Sequence, residues 1–447
     1  MRRLILIVFI ALIGSSSYAQ VISNSPYSSF GLGELGGLDH AVYGGAGNSN
    51  ITFIDSTNLN FYNPASYNSL AVGQPLFSLG MSSRLSNFTE GQNEYFSGIY
   101  SVQHFVMAFP FSKHFGLAFG LKPYSRTGYE FTTYSLVGTD SLRYNHNGKG
   151  GINETFVGFS TDLMRFENTR LSVGANAGYL FGASVNQRSS ALVDGNLNSG
   201  GTEISSLRAN SFHYSVGTYF SHNFSKSHSV LLSATFDPGQ QLNATYSLGR
   251  YYAGNVDVPQ SYDTLSQISD ANGKISSVPT FAYGLRYTWN RPSSKDNKKR
   301  LNTELSLHAS YTTEKWEDFN IPFDSTGTTY LNASKFSFGV QYIPEIDYIA
   351  GKSTSKYYER MRYRAGFYSN TLPYTSNNVQ VKDFGTTFGI GLPIAIQNSV
   401  SSINLGFAIG SRGVADTQSL RERYYGINVG ISIAPGGDRW FVKRKLN

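Results

Sequence analysis

The feature that most constrains this chain is a period of two in its apolar residues, with no run after the N-terminus long enough to cross a bilayer as a helix. Leu171, Val173, Ala175, Ala177, Tyr179 and Phe181 alternate with Ser172, Gly174, Asn176 and Gly178. The pattern recurs in Phe281, Tyr283, Leu285, Tyr287 and Trp289, in Leu301, Leu305, Leu307 and Tyr311, and through Phe388 to Ile433. Alternate residues of a strand point to opposite faces, so each segment carries one apolar face and one small or polar face. About fourteen such segments are expected, centred near residues 80, 103, 120, 159, 176, 216, 234, 285, 306, 338, 364, 391, 406 and 428.

A water-soluble sandwich also alternates, so the connections decide. Short ones at 112–114, 165–169, 221–228, 291–299, 345–356 and 397–401 interleave with longer ones at 86–96, 126–153, 184–208, 239–279, 314–330, 370–384 and 411–421. Two unequal ends are the mark of an outer-membrane barrel, with short periplasmic turns and long external loops. The fold class expected is therefore all-β, a transmembrane antiparallel β-barrel of about fourteen strands with an N-terminal hatch or plug. Such a barrel accommodates 31 Phe and 31 Tyr without long apolar runs, because the apolar surface is spread over many strands. Tyr124, Tyr129, Trp289, Tyr311, Trp316, Tyr342, Tyr424 and Tyr425 are candidates for the interfacial aromatic rims.

Arg2 and Arg3, the apolar run Leu4 to Ile13, and Ser17, Tyr18 and Ala19 read as an export signal over 1–19. Residues 20–74 are rich in Gly and Asn and lack sustained alternation, as expected of a plug; residues 75–447 form the barrel with long external loops and a basic periplasmic tail. Net charge is +7, falling to +5 without Arg2 and Arg3, which is too weak and dispersed for a nucleic-acid footprint. Lys298, Lys299 and Arg300 sit in an expected periplasmic turn, where contact with lipid headgroups is the plain reading.

Lys122, Arg126, Arg286, Glu304, His308, Arg362 and Arg364 fall on or near polar strand faces and are the candidate lumen charges. One reading is a constriction that takes a carboxylate on Arg362 or Arg364. The other, which buried charge favours, is a structural salt-bridge ladder. Pro123, with Gly128 close by, interrupts the third strand. Proline cannot donate to a ladder, so the pair marks a candidate lateral opening or a strand end.

The signal segment, the plug, Asn63, Pro64 and Ala65 just before the first strand, and the strand number resemble the FadL-type outer-membrane transporters of hydrophobic compounds. Ser25, Pro26, Tyr27, Ser28, Ser29, Phe30, Gly31, Leu32 and Gly33, and the ending Asp438 to Lys445, look like the Bacteroidetes branch of such proteins. The resemblance implies a hatch that fills the lumen, with Asn63, Pro64 and Ala65 at its ligand-facing part. It also implies a lateral exit and passive uptake of long-chain fatty acids or other hydrophobic small molecules. Outer-membrane lipids and an apolar ligand are the expected partners, and no nucleic acid, metal or cofactor is expected. Cysteine is absent, no Gly-x-Ser-x-Gly or His-Glu-x-x-His motif occurs, and no enzyme activity is expected. The rival reading is a non-transporting subunit or scaffold of a larger outer-membrane complex, with loops such as 239–279 as the partner surface.

Overall fold

The computed structural model describes residues 25–36, 40, 42–138, 140–192, 199–257, 262–292, 302–320, 329–346, 355–394, 401–414 and 419–434. The export segment 1–19, the Lys298, Lys299, Arg300 run and the tail from Asp438 to Lys445 lie outside the described residues.

Among the described residues, seventeen strands join one antiparallel sheet: β1 (Glu34–Leu35), β2 (Leu76–Glu90), β3 (Asn93–Phe109), β4 (Phe115–Val137), β5 (Asp140–Arg165), β6 (Thr169–Leu192), β7 (Gly200–Asn223), β8 (His228–Asp237), β9 (Gln241–Ala253), β10 (Asp263–Ser276), β11 (Thr280–Arg291), β12 (Thr303–Glu314), β13 (Ala333–Ile343), β14 (Arg362–Ser376), β15 (Val379–Pro393), β16 (Ser402–Gly413) and β17 (Arg421–Ile433). β2 to β8 and β11 to β17 are the fourteen barrel strands, at the fourteen positions expected from the alternation. The last closes on the first, with Val429 opposite Met81. β9 and β10 form a hairpin that rises above the wall, β9 pairing with the upper half of β7 while β8 pairs with β11.

The long connections differ from the expectation of loops. Most of their length is paired strand: β4 and β5 run together from Phe115 opposite Thr161 to Val137 opposite Asp140. Backbone groups that leave the bilayer still find partners most cheaply in the neighbouring strand. Asn377 and Asn378, at φ 49° and 60°, turn the β14–β15 hairpin as a two-residue loop with positive φ at both positions.

Parity sorts the two faces. Met81, Leu85, Phe105, Leu121, Val157, Phe159, Phe212, Leu285, Phe388 and Ile427 are exposed on the outside. With no water to bond backbone groups in hydrocarbon, only a closed sheet can carry such a face across a bilayer. Trp289, Tyr311, Tyr342 and Tyr425 also point out, whereas Tyr129, Trp316 and Tyr424 are buried and Tyr124 packs against a buried inner cluster, so these four are not rim residues.

The lumen is filled by the described residues 25–75, which hold short 3-10 turns and β1 only. Their backbone lies directly on wall glycines. A Cβ at Gly174 would stand 2.5 Å from the Pro64 carbonyl carbon, at Gly217 2.4 Å from Asn63 Oδ1, and at Gly116 2.3 Å from the Tyr67 carbonyl carbon. Opposite, Gly339 and Gly366 receive Ala46 and Gly47 in the same way, each with plug backbone 2.3 Å from the missing Cβ. The small residues on the inner face are thus a berth for a second backbone.

Candidate functional site

Among the described residues, the wall is incomplete where β3 meets β4. β3 and β4 pair only from Phe105 opposite Leu121 to Phe109 opposite Leu117. Beyond Leu121 comes Pro123, and a bulge follows at Tyr124; across from it, β3 bulges at Gln103 between Val102 and His104. Two bulges facing each other bend the strands apart. β4 keeps its ladder with β5, so its other edge is free of β3. Met81, Leu85, Val102 and Tyr100, at the same level or above, are exposed on the outer surface beside the break.

The plug closes the lower part of this break. Glu34 and Leu35 pair with Arg126 and Ser125, the Gly36 N–H donates to the Tyr124 carbonyl at 2.7 Å, and the Ser25 N–H donates to the Gly128 carbonyl at 3.0 Å. Gly128 N–H donates to Ser28 Oγ at 3.0 Å. β1 therefore stands where β3 would have paired.

Two lumen cavities meet behind it, sharing Leu35, Gly36, Gln103, Glu314 and Lys335. The first, about 110 Å³, lies at the break between β1 and β3, lined by Phe30, Leu35, Ile99, Ser101, Trp316, Tyr330, Leu372 and Tyr374 with Arg84, Arg126 and Arg412. It is somewhat smaller than the roughly 150 Å³ cavity that admits benzene in an engineered core. Its arginines are engaged: Arg412 pairs with Glu34 and sits 3.7 Å from Glu422 and 3.8 Å from Asp383, Arg84 lies 4.7 Å over the Tyr424 ring, and Arg126 donates to Gln103 Oε1 at 2.6 Å. The second cavity, about 220 Å³, mixes polar side chains with apolar ones such as Ile51, Phe61 and Phe236. A chain of side chains borders it: Lys122 Nζ lies 3.3 Å from Glu154, Glu154 3.2 Å from His213, and His213 2.8 Å from Asp237.

The other expected charges mostly hold the plug or neutral wall residues. Arg286 donates to the Ile54 carbonyl at 2.9 Å, His308 bonds Thr52 Oγ1 at 2.8 Å and stacks on Phe53, and Arg362 donates to Thr57 Oγ1 at 2.6 Å and lies 3.4 Å from Asp55. Arg364 is bound to Gln341 and Asn404 within the wall. Glu304 is half-buried on β12, within the field of Arg286 and Arg362. Asn63 caps the turn Pro64–Ser69, accepting from the Ala65 N–H at 3.1 Å and donating to the Thr218 carbonyl at 3.2 Å. Asn63, Pro64 and Ala65 border neither cavity.

In the plug, outside the spanning strands, burial pushes the Asp55 carboxyl up, but Arg362 and the N–H groups of Thr57 and Asn58 hold it below the usual carboxylate range. Burial beside His104 and Arg364 holds the His40 imidazole well below its ordinary value, and its Nδ1 accepts the Val42 N–H at 3.0 Å as a neutral ring does.

Arg84, Gln103, Glu154, His213 and Arg412 were not among the residues expected from the sequence. Inward parity on β2, β3, β5, β7 and β16 is the available signal.

No curated protein matches the sequence. Among solved structures, the CymD monoaromatic hydrocarbon channel aligns with TM-score 0.52 and 11% identity, over 91% of this chain and 99% of that one. The Pseudomonas putida toluene transporter TodX aligns with TM-score 0.51 and 16% identity, over 93% and 99%. A Pseudomonas aeruginosa FadL homologue has TM-score 0.49 and 11% identity, over 93% and 99%. At these identities the likeness is one of fold, and it rests on the first two. A family described as BamG matches residues 1–447. That label differs from the FadL-type name suggested by the sequence motifs.

Proposed function

The chain belongs to the BamG family, and from its broken wall we propose that it is an outer-membrane conduit passing hydrophobic small molecules sideways from the lumen into the bilayer. The observation that carries this is the coincidence of three things: the end of the β3–β4 ladder, the cavity in which aromatic and aliphatic side chains stand beside ion-paired arginines, and an exposed apolar band beside them. An apolar solute gains roughly 25 cal/mol for each Å² it removes from water. A side exit into hydrocarbon keeps that gain, whereas a straight pore into the periplasm forfeits it. The plug, fixed to the wall on opposite sides, stops the straight route. The barrels of similar fold named as a monoaromatic hydrocarbon channel and a toluene transporter support the reading by analogy of architecture. Long-chain fatty acids and monoaromatic hydrocarbons are the two ligand classes to compare.

The chain has no cysteine, so a single introduced thiol is a clean handle. Ser101→Cys, at the cavity and half-buried, is to be modified with a bulky methanethiosulfonate in cells, and uptake of labelled toluene and oleate measured. Uptake should fall at least tenfold on labelling and return on reduction. Unchanged uptake with complete labelling would sink the proposal.

A non-transporting subunit is the second reading, supported by strand edges left exposed above the break. Stoichiometric co-purification with other outer-membrane proteins, together with wild-type apolar uptake in a deletion strain, would favour it.

A further inference from the structure

We infer that the upper edge of β4, from Glu130 to Leu136, is a docking edge for an extended basic segment of another polypeptide, which adds to the barrel as a strand. Among the described residues, β4 above Gly128 pairs with β5 alone and β3 above Gln103 pairs with β2 alone. Residues 132–136 of β4 are exposed on both faces, as are 93–96 of β3, with Phe96 at 71%, Tyr134 at 66% and Leu136 at 78%.

The occupant follows from chemistry. A row of backbone N–H and C=O groups is satisfied by another backbone and not by an acyl chain. The edge already accepts one: β1 pairs with Ser125 and Arg126 just below. The same molecule protects its other exposed edge. β10 has two register shifts, with Asp263 and Asp270 along it and Asp270 at φ 51°. β4 above Ser125 has no bulge and no proline, and reads Tyr-Glu-Phe-Thr-Thr-Tyr-Ser-Leu-Val, a strongly strand-forming stretch. Facing strand segments 93–102 and 129–137 carry Glu94 and Glu130 and no lysine or arginine, so a strand alternating apolar residues with Lys or Arg is complementary.

The ladder geometry makes the test specific. Gly128 directs its N–H and C=O at the plug, so Glu130, Thr132, Tyr134 and Leu136 face the free edge while alternate residues face β5. Thr132→Pro therefore removes a free-edge donor and leaves the β5 ladder intact. Binding of a fluorescent Lys-Val-Lys-Val-Lys-Val-Lys peptide to the purified full chain in detergent is to be measured by anisotropy. Folding is checked by the heat-modifiable mobility of the barrel. Saturable binding should weaken at least tenfold in Thr132→Pro, stay within twofold in Thr132→Ala, and be lost with the peptide N-methylated at alternate residues. Absent binding, or equal binding by Thr132→Pro or by the methylated peptide, overturns the inference. A stable dimer broken by Thr132→Pro assigns the edge to a second copy and also overturns it.

Discussion

At Gly174 one methyl group separates a seated plug from a displaced one. The missing Cβ would lie 2.5 Å from plug backbone, which cannot swing aside as a side chain can. Gly174→Ala is expected to cost about 1–3 kcal/mol in plug seating, and limited proteolysis should cut the plug at least fivefold faster. Gly254→Ala, with nothing within 4 Å of the added carbon, is the control; equal protection of both variants would count against the berth. Parity placed Gly174 on the inner face from the sequence alone. What it could not supply was the partner, because the contact is between residues over a hundred apart. The rim aromatics show the same limit: Tyr424 and Tyr425 are neighbours in a strand and cannot both face lipid, and the structure sends Tyr424 inward to Asp383.

β4 illustrates what an element's sequence reveals. Proline and the nearby glycine flagged an interruption, and the ladder with β3 does stop two residues before Pro123. The facing bulge at Gln103 carried no comparable signal, since a bulge is a property of two strands in register and Gln is unremarkable in either. Pro123→Val is expected to extend the β3–β4 ladder. Hydrogen exchange should then slow at Val102 and Gln103, and apolar uptake should fall several-fold. Faster or unchanged exchange with a folded barrel would show that proline merely tolerates the break. Strand positions were legible throughout because alternation is local; the upward extension of the strands was not, since polar hairpins above a membrane lose the apolar face that made the alternation visible.

For the whole molecule, the plug is held to the wall by Arg362, Arg286 and His308, and these contacts make its seating depend on acid. Asp55 titrates below the usual range in the folded protein, so its contribution is fully present above its unfolded pKa of about 3.9 and is lost as pH falls through the lower folded value. Plug release, read as ion conductance of single barrels in planar bilayers, should increase below about pH 4 and stay flat between about pH 5 and 8. Asp55→Asn should raise conductance at neutral pH and blunt the acid response; an identical acid profile would assign the effect elsewhere. The closing pair of β17 with β2 has a consequence for how the protein is made. The plug precedes β2 in the chain yet bonds to β15, with the Gly47 N–H donating to Thr387 Oγ1 across 340 positions. A segment of that bulk cannot thread into a sealed cylinder, so it must settle on a still-open sheet before the seam zips. Chain order thus becomes an order of assembly: berth first, seam last, with a late-arriving plug shut outside a barrel that is otherwise complete.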